Sequence, residues 1–97
     1  MERGGFVYIL TNKHDTVLYT GVTSDLVHRL YQHKHKELKG FTSKYNVDKL
    51  VFYEFYPSIE DAISREKQIK RWHKEWKWNL IKATNPDLMD LSQELLS

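Results

Sequence analysis

Two tyrosines and one glutamate are the residues whose types and placement could do chemistry in this chain. Tyr8 and Tyr19 each sit in a short β-rich run, Phe6-Val7-Tyr8-Ile9-Leu10 and Val17-Leu18-Tyr19-Thr20-Gly21, separated by a polar stretch that reads as a hairpin connection. With residues 12–15 as the loop, Thr11 pairs with Thr16 and Tyr8 lies directly opposite Tyr19. The two phenols then stand about 4.5–5.5 Å apart at Cβ; an odd-length loop moves them to a diagonal. Two hydroxyls held on rigid strands are either a packing pair or the floor of a site. Glu66 falls on the apolar stripe of a helix, seven residues beyond Ile59 and three beyond Ile63. A carboxylate on a core-facing stripe is costly unless it is paired, hydrogen-bonded or metal-bound.

The elements that must position these residues follow from the pattern. After the hairpin, Thr23-Ser24-Asp25 offers a helix N-cap. The helix is expected from 25 to about 35 or 37, with Leu26 and Leu30 inward and Arg29 and His33, four apart, projecting from one face. Residues 39–44 read as a loop, and residues 49–56 as a third strand ended by Pro57. Ser58 with Asp61 resembles a capping box opening a second helix. A third helix is expected over about 74–83, with Trp76, Leu80 and Ile81 inward and Asn79 beside them. Asn85-Pro86-Asp87 reads as the start of a last helix over about 86–96 carrying Leu88, Leu91 and Leu95. Both faces of the hairpin are apolar, Phe6 and Leu10 on one, Val7, Ile9 and Leu18 on the other. The expected fold class is therefore α+β: a three-stranded, mostly antiparallel sheet flanked by helices, in the order ββαβα(α)α. Residues 1–97 are read as one domain with the last helix as an appendage.

Composition bounds the function classes. The chain has 97 residues, 40% hydrophobic, which supports a folded core. It has no cysteine, hence no disulfide framework and no zinc–thiolate site. No apolar run approaches the ~20 residues of a membrane span, and Met1-Glu2-Arg3-Gly4-Gly5 lacks a secretory segment; a cytoplasmic location fits. The formal net charge is +2, but the segment after residue 82 carries Asp87, Asp90 and Glu94 without Lys or Arg, and without those three acids the charge is +5. Bases concentrate in two segments, one with Arg29, Lys34, Lys36, Lys39 and Lys44, the other with Arg65, Lys67, Lys70, Arg71, Lys74 and Lys77. With Tyr31, Trp72, Trp76 and Trp78 among them, they suit either a polyanion or a solvated Lys-rich surface.

The ordered set Tyr8, Tyr19, Arg29, His33, Glu66, with Asn79 behind, resembles the signature of the GIY-YIG nuclease superfamily, in particular its small single-domain bacterial branch, which is similar to the excinucleases of DNA repair. Phe6-Val7-Tyr8 stands at the first motif and Tyr19-Thr20-Gly21 at the second. The resemblance implies hydrolysis of phosphodiester bonds in DNA with one divalent cation, Mg²⁺ or Mn²⁺. It implies that Glu66 ligates the metal, Arg29 grips the scissile phosphate, Tyr8 accepts the proton of the attacking water and Tyr19 positions the water or a phosphate oxygen. His33 binds phosphate or assists proton transfer, and Asn79 orients Glu66 or a water. Gly21 permits close strand approach or a turn. A tyrosine acting as base needs its pKa lowered by nearby positive charge, which Arg29 and the metal would supply. Lys34, Lys44, Lys67, Lys70 and Arg71 are the expected nucleic-acid contacts.

Phe6 replaces the family's first glycine and Thr20 its isoleucine, neither of which carries chemistry. Val22 stands where some repair members have a lysine. With no separate targeting domain, a structure-directed or weakly sequence-specific endonuclease is expected. Two alternatives keep the same fold: a non-catalytic nucleic-acid-binding module, or a subunit held by a larger repair or mobile-element protein through the leucines of the last helix. Those leucines could also form a homodimer interface.

Overall fold

The computed structural model describes residues 4–96; Met1, Glu2 and Arg3, on which the expectation of no secretory segment partly rests, and Ser97 lie outside the described residues. Three strands, β1 (Gly5–Thr11), β2 (Leu18–Thr23) and β3 (Lys49–Tyr56), form one sheet in the order β2-β1-β3, antiparallel at both junctions. Around it lie α1 (Leu26–Lys34), α2 (Phe41–Lys44), α3 (Ile59–Lys70), α4 (Lys74–Thr84) and α5 (Ser92–Leu96). The expected α+β architecture is the one observed.

The central strand carries the two-sided pattern. Val7 and Ile9 pack with Val51, Phe52, Ala62, Ile69 and Ile81 on the side covered by α3 and α4. Tyr8 and Leu10 point the other way, into a cluster with Leu26, Leu30, Val47 and Leu50 under α1. Alternation along a strand requires this division. One irregularity completes it. Ile9 pairs with Phe52 and Leu10 with Leu50, so Val51 is an extra residue in β3. That bulge lets Val51 and Phe52 serve the first cluster together while Leu50 serves the second.

The hairpin is offset from the expected register. Thr11 pairs with Leu18, not Thr16, and Tyr8 with Gly21, not Tyr19. Asn12 is the cause. Its Oδ1 accepts from the Thr16 and Val17 amides (2.8 and 3.1 Å), and its Nδ2 donates to Thr16 Oγ1 at 2.7 Å. The backbone polar groups that a shorter turn would use are satisfied by this side chain, which favours a six-residue loop.

Four other expectations are corrected. Residues 41–44, read as part of a loop, make one helical turn after Gly40, whose φ of 119° only glycine adopts without strain. Ser58 occupies the N-cap of α3 without a side-chain capping bond. Ile63 and Trp76 are exposed, and Trp78, not Trp76, joins the expected Leu80 and Ile81 against the core. The last helix starts at Ser92, not Pro86. In its place, Asn85 clamps the chain: its Nδ2 donates to the carbonyls of Val51 (3.1 Å) and Met89 (3.0 Å), and its Oδ1 accepts from the Met89 amide. Asp90 then ties the segment down by accepting from the Leu50 amide and pairing with Lys34 at 2.7 Å. An extended segment anchored to β3, with Leu91 N–H donating to the Leu50 carbonyl, satisfies backbone groups along part of the strand's edge.

Candidate active site

Tyr8, Tyr19, Arg29, His33 and Gly21 converge at the β1–β2–α1 junction. Tyr8 stands on the central strand, fully buried. Its ring leans across β2 over Gly21, where a Cβ would lie 2.5 Å from both Cζ and Oη of Tyr8. Any side chain there would push the phenol aside, so Gly21 is needed for a close approach. Tyr19 is the diagonal neighbour, with ring centroids 6.3 Å apart. His33 projects from the last turn of α1, and its Nε2 lies 3.1 Å from the Tyr8 hydroxyl. His33 Nδ1 lies 3.2 Å from Thr42 Oγ1 on α2. The His33 ring meets both tyrosine rings at 5.8 Å, edge-on to each. Phe41, the residue before Thr42, stacks on Tyr19 at 6.5 Å.

Helix α1 holds its residues at the right spacing. Asp25 caps it by accepting from the His28 amide, and Leu26 and Leu30 bury the inward stripe. Arg29 and His33 follow on an adjacent face one turn apart. The Arg29 guanidinium acts on both partners of the hydrogen bond. Burial and neighbouring Tyr19 push the Tyr8 hydroxyl well above its usual range, while Arg29 pulls it down by charge and by donating a hydrogen bond to it. Burial and then Arg29 bring His33 down from 6.5 to about 4, with Asp48 acting weakly the other way.

With Arg29 alone beside it, the Tyr8 hydroxyl is shifted opposite to the depression expected from Arg29 and a metal together. Desolvation of the phenolate outweighs the pull of one guanidinium. At neutral pH the centre holds a neutral phenol hydrogen-bonded to a neutral imidazole.

Glu66 lies on the other face of the sheet. It shares the inward stripe of α3 with Ala62 and Ile69 and is 9% exposed. Its Oε2 pairs with Lys70 at 3.3 Å, a long contact to a half-exposed ammonium one turn on. Thr20, on the α3 face of β2, is buried and its Oγ1 has no hydrogen-bond partner among the described residues. The edge position of β2 matters here. The Tyr8 ring reaches across this strand from one face and α3 packs against it from the other, so both approach the same sheet margin.

The remaining expected residues divide. Asn79 is exposed, in a depression with Asp15, Glu75, Trp78, Lys82 and Leu88, and makes no hydrogen bond to Glu66. The asparagine built into the core is Asn85. Lys34 is engaged by Asp90, Lys70 by Glu66, and Lys44 lies over the Tyr45 ring at 5.3 Å. Lys67 and Arg71 are exposed around a depression that Ser64, Gln68 and Trp72 complete. Thr42 and Phe41 were invisible in the sequence because a single helical turn has no periodicity to read.

Comparison with known proteins shows the family and the fold. The family model of the GIY-YIG catalytic domain matches residues 4–79. The chain is 37% identical over 78 residues to a UPF0213 protein of Clostridium perfringens, covering 80% of this chain and 83% of that one. It is 36% identical over 85 residues to a UPF0213 protein of Syntrophus aciditrophicus, covering 87% and 95%. The solution NMR structure of a UPF0213 protein from Bacillus halodurans shares the fold with a TM-score of 0.58 at 26% identity, over 90% of this chain and 92% of that one. The first-strand and second-strand tyrosines, the α1 pair and Glu66 all fall within the matched span, and the chain belongs to the GIY-YIG family of nuclease domains.

Proposed function

We propose that this chain is a divalent-metal-dependent DNA endonuclease whose proton acceptor is the Tyr8–His33 pair. The observation that carries the reading is the buried Tyr8–His33 hydrogen bond with Arg29 acting on both partners. Structural tyrosines do not need a neutral histidine and a guanidinium assembled at one hydroxyl. In the proposed reaction Arg29 binds the scissile phosphate. An attacking water gives a proton to the Tyr8 oxygen as Tyr8 passes its own to His33 Nε2. This relay needs no free phenolate, in keeping with a Tyr8 hydroxyl that burial pushes up. Phosphate bound at Arg29 offsets the positive charge that weakens His33 as a base, so basicity rises when substrate is present. Tyr19 orients the water or a phosphate oxygen.

Glu66 is the residue that would hold Mg²⁺ or Mn²⁺. It fits: it is a hard oxygen donor held on a buried stripe by a long, replaceable ion pair. Among the described residues no group of three or more His, Cys, Asp or Glu side chains stands together as a metal cluster, so water and phosphate oxygens would complete the shell. Such an ion supplies stabilisation of negative charge on the leaving oxygen. Lys67 and Arg71 add phosphate contacts outside the centre.

A second reading has its own support. Glu66 and Tyr8 stand on opposite faces of the sheet, and a nucleic-acid-binding module would need no cooperation between them. One experiment separates the two. Wild type and Glu66→Gln are incubated with branched, single-stranded and duplex DNA in Mg²⁺ or Mn²⁺. The nuclease reading expects cleavage by wild type, loss of at least about 100-fold in Glu66→Gln, and equal DNA binding by both. Binding without turnover in any metal supports the module, and equal cleavage by both proteins rejects Glu66 as the metal ligand.

A further inference from the structure

We propose that Thr42 is a positioning residue that holds His33 in the tautomer protonated at Nδ1, leaving Nε2 free to accept from Tyr8. The direction of the hydrogen bonds follows from donor and acceptor inventories. Arg29 has only donors and gives one to the Tyr8 oxygen. The hydroxyl must therefore send its own proton elsewhere; the Tyr19 hydroxyl is also within reach, but the imidazole nitrogen is the stronger acceptor, and His33 Nε2 at 3.1 Å receives the proton. A neutral imidazole whose Nε2 accepts carries its proton on Nδ1. That proton points to Thr42 Oγ1 at 3.2 Å. The order is Arg29 to Tyr8 to His33 to Thr42, with each group donating to the next.

Thr42 is mounted to do this. The one-turn helix α2 fixes its backbone, with Lys44 N–H donating to the Gly40 carbonyl and Val47 N–H to the Thr42 carbonyl at 2.9 Å. Val47 is fully buried in the cluster that contains Tyr8 and Leu30. The same turn places Phe41 on Tyr19. A segment that resembles a surface loop in sequence thus closes the site from above and sets the proton on its histidine. The logic is that of a carboxylate or carbonyl that fixes the tautomer of a functional imidazole. The groups facing His33 are Tyr8 and Tyr19 from the sheet, Arg29 from its own helix, Thr42 from α2, and Asp48 from the segment before β3.

This inference rests on the nuclease reading for its purpose but not for its measurement. Uniformly ¹⁵N-labelled wild type, Thr42→Ser and Thr42→Val are compared by long-range ¹H–¹⁵N correlation of the His33 ring at neutral pH. Wild type and Thr42→Ser are expected to show a protonated Nδ1 and an unprotonated Nε2. Thr42→Val is expected to shift the ring toward the Nε2-protonated form, with kcat on DNA lowered about tenfold at unchanged KM and restored in Thr42→Ser. An Nε2-protonated ring in wild type, or the same tautomer in all three proteins, overturns the proposal. Should Thr42→Val fail to fold, Thr42→Ala takes its place: it also removes the hydroxyl and is expected to shift the ring toward the Nε2-protonated form, and an Nδ1-protonated ring in Thr42→Ala overturns the proposal. Absence of turnover in wild type would remove the nuclease reading and leave the tautomer result standing.

Discussion

Tyr8 shows how little room a buried hydroxyl has for an alternative role. It is enclosed by Gly21, Tyr19, His33 and Leu30, and its hydroxyl lies 3.1 Å from His33 Nε2. Tyr8→Phe should fold with a melting temperature lowered by roughly 4–15 °C, since the change leaves the buried imidazole nitrogen without its partner at about 1–2 kcal/mol. Its turnover should fall by about 10²-fold or more. Gly21→Ala is expected to do the reverse in mechanism: the added methyl meets Cζ and Oη of Tyr8 at 2.5 Å. It should cost about 1–3 kcal/mol in chemical denaturation and also displace the phenol from His33. His33 links the site to stability. Its pKa is lowered in the fold from 6.5 to about 4, so between those values the unfolded chain binds the extra proton. The stabilisation is intact above about pH 6.5 and is lost progressively as the pH falls to about 4, amounting to about 2–3 kcal/mol. Denaturation midpoints measured across that window should flatten in His33→Gln.

The connection after α4 is the element where local and tertiary preferences conflict. Pro86 and Asp87 favour a helix start, yet Asn85 and Asp90 spend their side chains on a non-helical segment. Leu88 takes a φ of 53° within it. Burial works against the charge of Asp90, but the bonds from Lys34 and Ser92 prevail and its carboxyl lies below the usual range. Its contribution is therefore present above that range and lost as pH drops through the folded value. Asn85→Ala leaves the Val51 and Met89 carbonyls and the Met89 amide without partners. It should cost about 2–3 kcal/mol, read as a lower urea midpoint. Hydrogen exchange should show the added opening first at Leu91, whose amide bonds Leu50.

At the scale of the whole molecule, the basic residues are not one continuous belt. Lys34 and Lys70 are committed to Asp90 and Glu66, and Lys49 to Asp15. Lys67 and Arg71 remain exposed beside Trp72 on α3 and the turn after it. Reversing both, Lys67→Glu with Arg71→Glu, is expected to weaken DNA binding and reduce the slope of log K against log salt by about 2. The unfolding midpoint should stay within about 0.5 kcal/mol, as neither side chain is buried. Fluorescence anisotropy over a salt series measures the slope. No helix among the described residues is long and apolar enough to cross a membrane.

Periodicity and residue chemistry carried the strands, the two sides of the sheet, the α1 pair and the inward position of Glu66, because each depends on the residue's own neighbours along the chain. The third strand was legible to its ends, since a β-rich run followed by proline leaves little choice. Pairing register was different. It turned on Asn12 satisfying the amides of Thr16 and Val17, a contact that no alternation pattern records. The same holds for the lower basicity of His33, the higher pKa of Tyr8 and the use of Thr42, Asn85 and Asp90. These properties arise where segments distant in sequence exclude water together, and desolvation and hydrogen-bond satisfaction exist only once that closure has formed.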